Sequence, residues 1–120
     1  MNKRRVGTDR EKQAAEYLES RGMKIVERNF RSRQGEIDLI GWHQGYLVFV
    51  EVKYRKDAGK GYAVEAVNVQ KQRKICQVAD FYRYSHGLGD VLGIRYDVVA
   101  IQGEKLEWIK NAFPHVYTRA

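Results

Sequence analysis

A chain of 120 residues carrying a formal charge of +7 has room for one core and not for two ordinary domains, and its basic balance favours phosphate-rich partners over acidic ones. Apolar residues at 43% and charged residues at 31% exclude a disordered chain. The single cysteine, Cys76, excludes an internal disulfide and a cysteine-zinc cluster and suits a reducing cytoplasm, and no run approaches the ~20 apolar residues of a membrane helix.

The N-terminal "MNKRRVGTDREK" is basic with no apolar run behind it, unlike a signal peptide. "GTDREKQAAEYLESRGMK" (residues 7–24) predicts a helix: Thr8 is a candidate N-cap, Ala14, Ala15 and Leu18 form an apolar stripe, and Gly22 is a stop. A strand follows over Lys24–Arg31. "GEIDLIGWHQGYLVFVEVKYR" (Gly35–Arg55) reads as a hairpin turning at Gln44-Gly45, and polar, glycine-containing residues 56–68 read as a loop. "VQKQRKICQVADFYRYS" predicts a second helix, with Ile75, Val78, Ala79 and Tyr82 on one face. After the loop "HGLGDVLG", "IRYDVVAIQ" and "KLEWIKNAF" read as two strands around a Gly103 turn. The order α-β-β-β-α-β-β predicts a single α/β domain with a core over about 7–110. Helices should flank a mixed central sheet, with one right-handed crossover through the second helix.

The hairpin carries the chemistry. A two-residue turn at Gln44-Gly45 sets Asp38 opposite Glu51 and Glu36 opposite Lys53. Alternation puts all four on one face, continued by Ile40, Trp42, Leu47 and Phe49, with Ile37, Leu39, Val48, Val50 and Val52 on the other. Carboxylates on directly opposed residues, with Cβ atoms ~4.5–5.5 Å apart, repel one another and hold their protons. A hard divalent cation compensates: Mg²⁺ takes oxygen ligands and typically binds through one or two carboxylates, water and phosphate. Lys53, two residues past Glu51, could then orient the attacking water or neutralise charge on a phosphate. The plain alternative is a salt-bridged hairpin with Glu36–Lys53 and Glu51–Arg55 pairs. The acids, however, interrupt the buried run "LVFVEV", where like charges are expensive.

Asp38, Glu51 and Lys53, as D-x12-E-x-K over two adjacent strands, resemble the PD-(D/E)xK nuclease signature. "GEIDLI" followed by "FVEVKYR", preceded by a helix with "E..AA.YL...G" and a strand ending "RNFR", resembles the bacterial YraN-type family over Gly7 to Ile101. That resemblance implies the restriction-endonuclease-like fold and kinship with archaeal Holliday-junction resolvases. It implies a Mg²⁺- or Mn²⁺-dependent phosphodiesterase core with Asp38 and Glu51 as metal ligands, Lys53 as the catalytic lysine and Glu11 as the acid of the first helix. It also implies DNA as partner, branched or junction DNA among the substrates, and a homodimer as in the resolvases. Ile37 stands where the nuclease signature has proline, and Arg10 where YraN-type proteins have glycine.

Two readings stand for Glu11. It shares a helical face with Ala14, Ala15 and Leu18, pointing at the sheet, and it also completes a Thr8-x-x-Glu11 capping box. Arg28, Arg31 and Arg33 before the hairpin form a candidate phosphate track, Arg55 shares the Glu51/Lys53 face, and Lys71 sits one turn before Ile75, in reach of a phosphate. Arg73 and Lys74 read as a solvated basic face, Cys76 as a small core residue and His43 as an exposed turn residue. Arg95 and Asp97, on one strand face, could pair with each other or serve the site. A nucleic-acid-binding protein of the same fold that does not cut is the second functional reading, and an interaction module with ion-paired acids the third.

Overall fold

A computed structural model describes residues 3–55, 67–89 and 93–116, with side chains from residue 9 onward and Arg55 by its backbone alone. The elements are α1 (Lys3–Ser20), β1 (Lys24–Ser32), β2 (Gly35–His43), β3 (Tyr46–Arg55), α2 (Val69–Ser85), β4 (Ile94–Gln102) and β5 (Lys105–Ile109). They form one five-stranded sheet in the order β1-β2-β3-β4-β5. All neighbours are antiparallel except β3 and β4, which run parallel across the α2 connection. The predicted order α-β-β-β-α-β-β and the mixed sheet are therefore observed. Residues 56–66 of the predicted loop lie outside the described residues.

The helices cover opposite faces. Ile75, Val78, Ala79 and Tyr82 of α2 pack on Ile40, Leu47, Phe49, Tyr96 and Val98. Ala14, Ala15 and Leu18 of α1 pack on Leu39, Val48, Val50, Val99 and Ile101. Alternate β3 residues thus serve alternate helices. The apolar stripe of α1 ends where Gly22 takes φ 99° and the Met23 N–H returns to the Leu18 carbonyl at 3.0 Å, a glycine-terminated helix end. Asn68 caps α2, its Oδ1 accepting the Lys71 N–H at 2.8 Å.

Two boundaries differ markedly from the sequence reading. The first helix starts at Lys3, so Thr8 lies inside it and cannot be its N-cap; basic residues 3–5 continue the helix as readily as Thr8 would open one. The last strand stops at Ile109. Asn111 turns the chain with φ 53°, and Ala112 donates to the Tyr96 carbonyl at 2.7 Å. Phe113 then stacks on Tyr96 at 5.1 Å between ring centroids instead of extending β5. Among the described residues, no helix is long and apolar enough to cross a membrane.

Candidate functional site

The hairpin turn sets the register. Gln44 and Gly45 both take positive φ, 51° and 83°, as a two-residue turn between twisted strands requires. His43 pairs with Tyr46, and pairing continues to Leu39–Val50. It stops there, one pair before Asp38 and Glu51. Asp38 turns its carboxylate into the ladder instead, and Oδ2 accepts the Val52 N–H at 2.8 Å. β2 continues along β1 as far as Gly35, while β3 continues along β4 as far as Arg55. The two strands part at the acids.

This parting overturns the expectation that four charged side chains share one face. Ile37 belongs with Ile40 to the core under α2, not with Leu39, so the period-two alternation breaks at Asp38. Glu36 and Asp38 meet Glu11 of α1, and carboxylate oxygens of the three lie within 4.8 Å of one another. Glu36 does not face Lys53. It pairs with Arg31, whose Nε is 3.1 Å from its Oε2. On the α2 side, Lys53 Nζ and Lys71 Nζ reach the same Glu51 oxygen, Oε1, at 3.7 and 3.8 Å.

The charges of these acids are costly where they sit. The Glu51 side chain is 8% exposed. Burial, followed by the charge of Asp38, pushes its pKa up to about 7 against the pull of Lys71 and Lys53. Glu11 is also raised to about 7, first by burial, then by Asp38 and Glu36, with Arg31 opposing. Burial raises Asp38 as well, and the charge of Glu36 adds to it, while the Val52 N–H, Lys71 and Lys53 pull it back. Glu51 therefore feels the charge of Asp38, although no ladder pair joins them. Thr8 inside the helix removes the capping-box explanation of Glu11, and Glu11 stands instead beside Asp38.

The donor set fits a hard divalent cation. Glu11, Glu36 and Asp38 bring carboxylate oxygens within 4.8 Å of one another; Glu51 stands outside that group and is tied to it by the charge of Asp38. Burial and mutual repulsion penalise the ionised acids, and a cation would relieve both penalties. Glu11, Glu36 and Asp38 are the acids placed to share a hard cation, with Glu51 adjoining.

The remaining candidates scatter. Arg31 reaches the acids through Glu36, whereas Arg28 pairs with Glu19 of α1 at 3.8 Å, eight residues and ~12 Å of helix beyond Glu11. Arg33 is exposed in the β1–β2 turn. Arg55 closes β3, and its side chain lies outside the described residues. Arg95 and Asp97 pair with each other through Nε–Oδ1 and Nη2–Oδ2 bonds of 2.9 Å. His43 is buried, not exposed: its Nδ1 is 2.9 Å from Arg95 Nη2, and burial followed by the Arg95 charge lowers its pKa. Cys76 is a buried core thiol.

Two residues at the acids escaped the sequence reading. Glu36 was assigned across the hairpin to Lys53. Asn29 was not singled out, although with its amide turned to donate, its nitrogen lies 2.5 and 3.0 Å from the Glu11 carboxylate oxygens and 3.0 Å from Glu36 Oε1. The available signal was its position in "RNFR", next to the hairpin, in the residue type that best tolerates a left-handed backbone.

The family model of the Uncharacterised protein family UPF0102 matches residues 10–101, a span that holds Glu11, Glu36, Asp38, Glu51, Lys53 and Lys71. A UPF0102 protein of Lachnoclostridium phytofermentans is 46% identical over 113 residues, covering 94% of this chain and 96% of the relative. Those of Colwellia psychrerythraea, 45% identical over 108 residues with 86% and 84% covered, and Aliivibrio salmonicida, 46% identical over 114 residues with 92% and 93% covered, match along nearly the same length. The chain therefore belongs to the UPF0102 family, the YraN-type proteins to which its "GEIDLI" and "FVEVKYR" strands pointed.

Proposed function

We propose that the protein is a Mg²⁺- or Mn²⁺-dependent nuclease that hydrolyses phosphodiester bonds in DNA. One observation carries the reading: at the parting of β2 and β3, the half-buried Asp38 carboxylate meets an acid from α1 and lends its charge to buried Glu51, which two lysines from different elements reach. When bound, a divalent cation supplies Lewis-acid polarisation of the scissile phosphoryl group. Asp38 and Glu51 would hold the cation, with Glu11 and Glu36 completing its oxygen ligands. Lys53 holds its ammonium where charge develops on the phosphoryl oxygens as water adds and the ester bond breaks. Lys71 and Arg31 neutralise the flanking phosphates as point charges, with Arg28, Arg33 and Arg55 extending the contact along the backbone. The excess of Lys and Arg, 22 against 15 acids, supports association with a polyanion whose affinity falls steeply with salt. The likeness to resolvases supports branched DNA as substrate and a homodimer as the working form. The buried, unbridged Cys76 supports a cytoplasmic location.

The test is cleavage of end-labelled single-stranded, duplex and four-way-junction DNA with Mg²⁺, Mn²⁺ or a chelator, with Asp38→Asn as control. Metal-dependent products absent from the control support the proposal. Binding without products from any substrate would replace it with a nucleic-acid-binding protein that does not cut.

A further inference from the structure

Asn29 interrupts β1. Its φ is 53°, in the left-handed region that non-glycine residues seldom enter and asparagine tolerates best. It lies between the Arg28–Leu39 and Phe30–Ile37 pairs of the β1–β2 ladder, level with Asp38. Its amide nitrogen donates to both oxygens of Glu11, at 2.5 and 3.0 Å, and to Glu36 Oε1 at 3.0 Å, the amide orientation that satisfies its neighbours. One neutral side chain thus joins α1, β1 and β2 at the acids. Residues held off the common backbone regions persist where their surroundings over-determine them, and such residues collect at functional sites.

We infer that Asn29 is a positioning residue of the cation site, which fixes Glu11 and Glu36 beside Asp38 before the cation arrives. The inference rests on the metal-site reading above and deepens it. Two carboxylates from separate elements would otherwise swing apart to escape each other and Asp38. Bridging both with one amide sets their place at no cost in charge. Asn29 acts through the acids, not on the metal, in the manner of the outer partners that orient metal ligands and whose loss costs about 10–100-fold in metal affinity.

The experiment is titration of the full chain with Mn²⁺, followed by calorimetry and by the loss of the free-ion spin-resonance signal. The proteins are wild type, Asn29→Gly, Glu11→Gln/Glu36→Gln and the triple variant. Glycine adopts the left-handed backbone freely, so Asn29→Gly removes the amide and keeps the chain path. If glycine leaves the chain unfolded, Asn29→Ser takes its place, its side chain too short to bridge both acids. The Mn²⁺ dissociation constant should rise about 10–100-fold in Asn29→Gly, with no further rise when Asn29→Gly is added to the Glu11→Gln/Glu36→Gln background, because the amide then has no acids to place. A purely structural role lowers the thermal midpoint and leaves Mn²⁺ affinity alone; an amide that plugs the site makes its removal tighten Mn²⁺ binding. Either result, in a wild type that binds Mn²⁺, overturns the role of Asn29 and leaves the metal site standing. A wild type that binds no Mn²⁺ overturns both.

Discussion

Asp38 accepts the Val52 N–H through its side chain at 2.8 Å, and this bond stands where the β2–β3 ladder would otherwise continue past Leu39–Val50. A carboxylate thereby does the work of a backbone carbonyl. It satisfies a donor that the parting strands would leave unpaired, and it keeps its second oxygen for the acids. Strand divergence and the placement of the Asp38 carboxylate are one local event, fixed by one residue.

Replacing Asp38 by Asn separates the two roles. Asparagine still offers Val52 a carbonyl oxygen but removes a half-buried charge beside Glu36 and Glu51. Without metal, Asp38→Asn should melt modestly higher than wild type. Wild type at ~100 times the metal dissociation constant should gain about 2.7 kcal/mol, and the variant almost nothing. Thermal unfolding with and without Mg²⁺ or Mn²⁺ measures both; identical responses would falsify the site.

The raised acids make a pH prediction of definite sign. Folded Glu51 and Glu11 keep their protons to about 7, against ordinary values of 4.5. Between these pH values the folded chain binds more protons than the unfolded chain, so their contribution is fully present below 4.5 and is lost as pH rises toward 7. For the buried Glu51 the loss is on the order of 3 kcal/mol; Glu11, more open to solvent, contributes less. Denaturant unfolding across this range should show metal-free stability falling with pH. Glu51→Gln should flatten the slope, and so should Mg²⁺, which selects the ionised carboxylates. A slope that survives Glu51→Gln unchanged assigns it to other groups.

The element order and the hairpin register were legible because they rest on local chemistry. Gln44-Gly45 supplies two positive φ angles, and the alternation of Leu47 to Val52 does the rest. The residue types of the candidate site were legible: Glu11 meets Asp38, and Lys53 and Lys71 meet Glu51. Its shape was not. Period-two reasoning carries Ile37 to the wrong face because it cannot anticipate that Asp38 will bond Val52 and release β2. His43 reads as exposed because its cover comes from Arg95, 52 residues away. Thr8-x-x-Glu11 has the form of a cap, yet whether a helix starts there depends on the residues before it.

Asp97 is 0% exposed and carries four bonds. Arg95 Nε and Nη2 donate at 2.9 Å each, Trp108 Nε1 at 2.8 Å and the Asn111 N–H at 2.9 Å. Removing one partner strands the other charge, so Arg95→Met should cost ~3–5 kcal/mol. Arg95→Met/Asp97→Leu should recover a large part of that loss, because no charge is then left buried alone. Urea unfolding of the three proteins decides. A double variant no better than Arg95→Met shows that the bonds to Trp108 and Asn111, not the ion pair, carry the stability. The response to metal should persist in every variant that folds, since the bonds of Arg95 and Asp97 go to each other, His43, Trp108 and Asn111 and not to Glu11, Asp38 or Glu51.

Lys53 and Lys71 approach one oxygen of Glu51 at nearly equal distances, 3.7 and 3.8 Å, yet the proposal gives them unequal work. Lys53 is carried by β3, rigid in the sheet and two residues from Glu51, so its ammonium is placed by the strand that places the ligand. Lys71 enters from the first turn of α2 and is set by the Asn68 cap. It can follow a phosphate without disturbing the sheet. Neither is a ligand, because an ammonium offers no lone pair to a cation. Lys53→Met should therefore leave Mn²⁺ affinity unchanged or slightly raised, since a positive charge leaves the site, while single-turnover cleavage falls by about 10²–10³, the usual cost of losing one preorganised donor at the reacting oxygen. Lys71→Met should instead weaken DNA binding and its salt dependence, with a smaller loss at saturating DNA. Mn²⁺ titration, DNA binding and single-turnover cleavage on the same variants separate these effects. If Lys53→Met loses metal affinity as fully as Asp38→Asn, Lys53 is holding Glu51 in place and the catalytic role passes to Lys71.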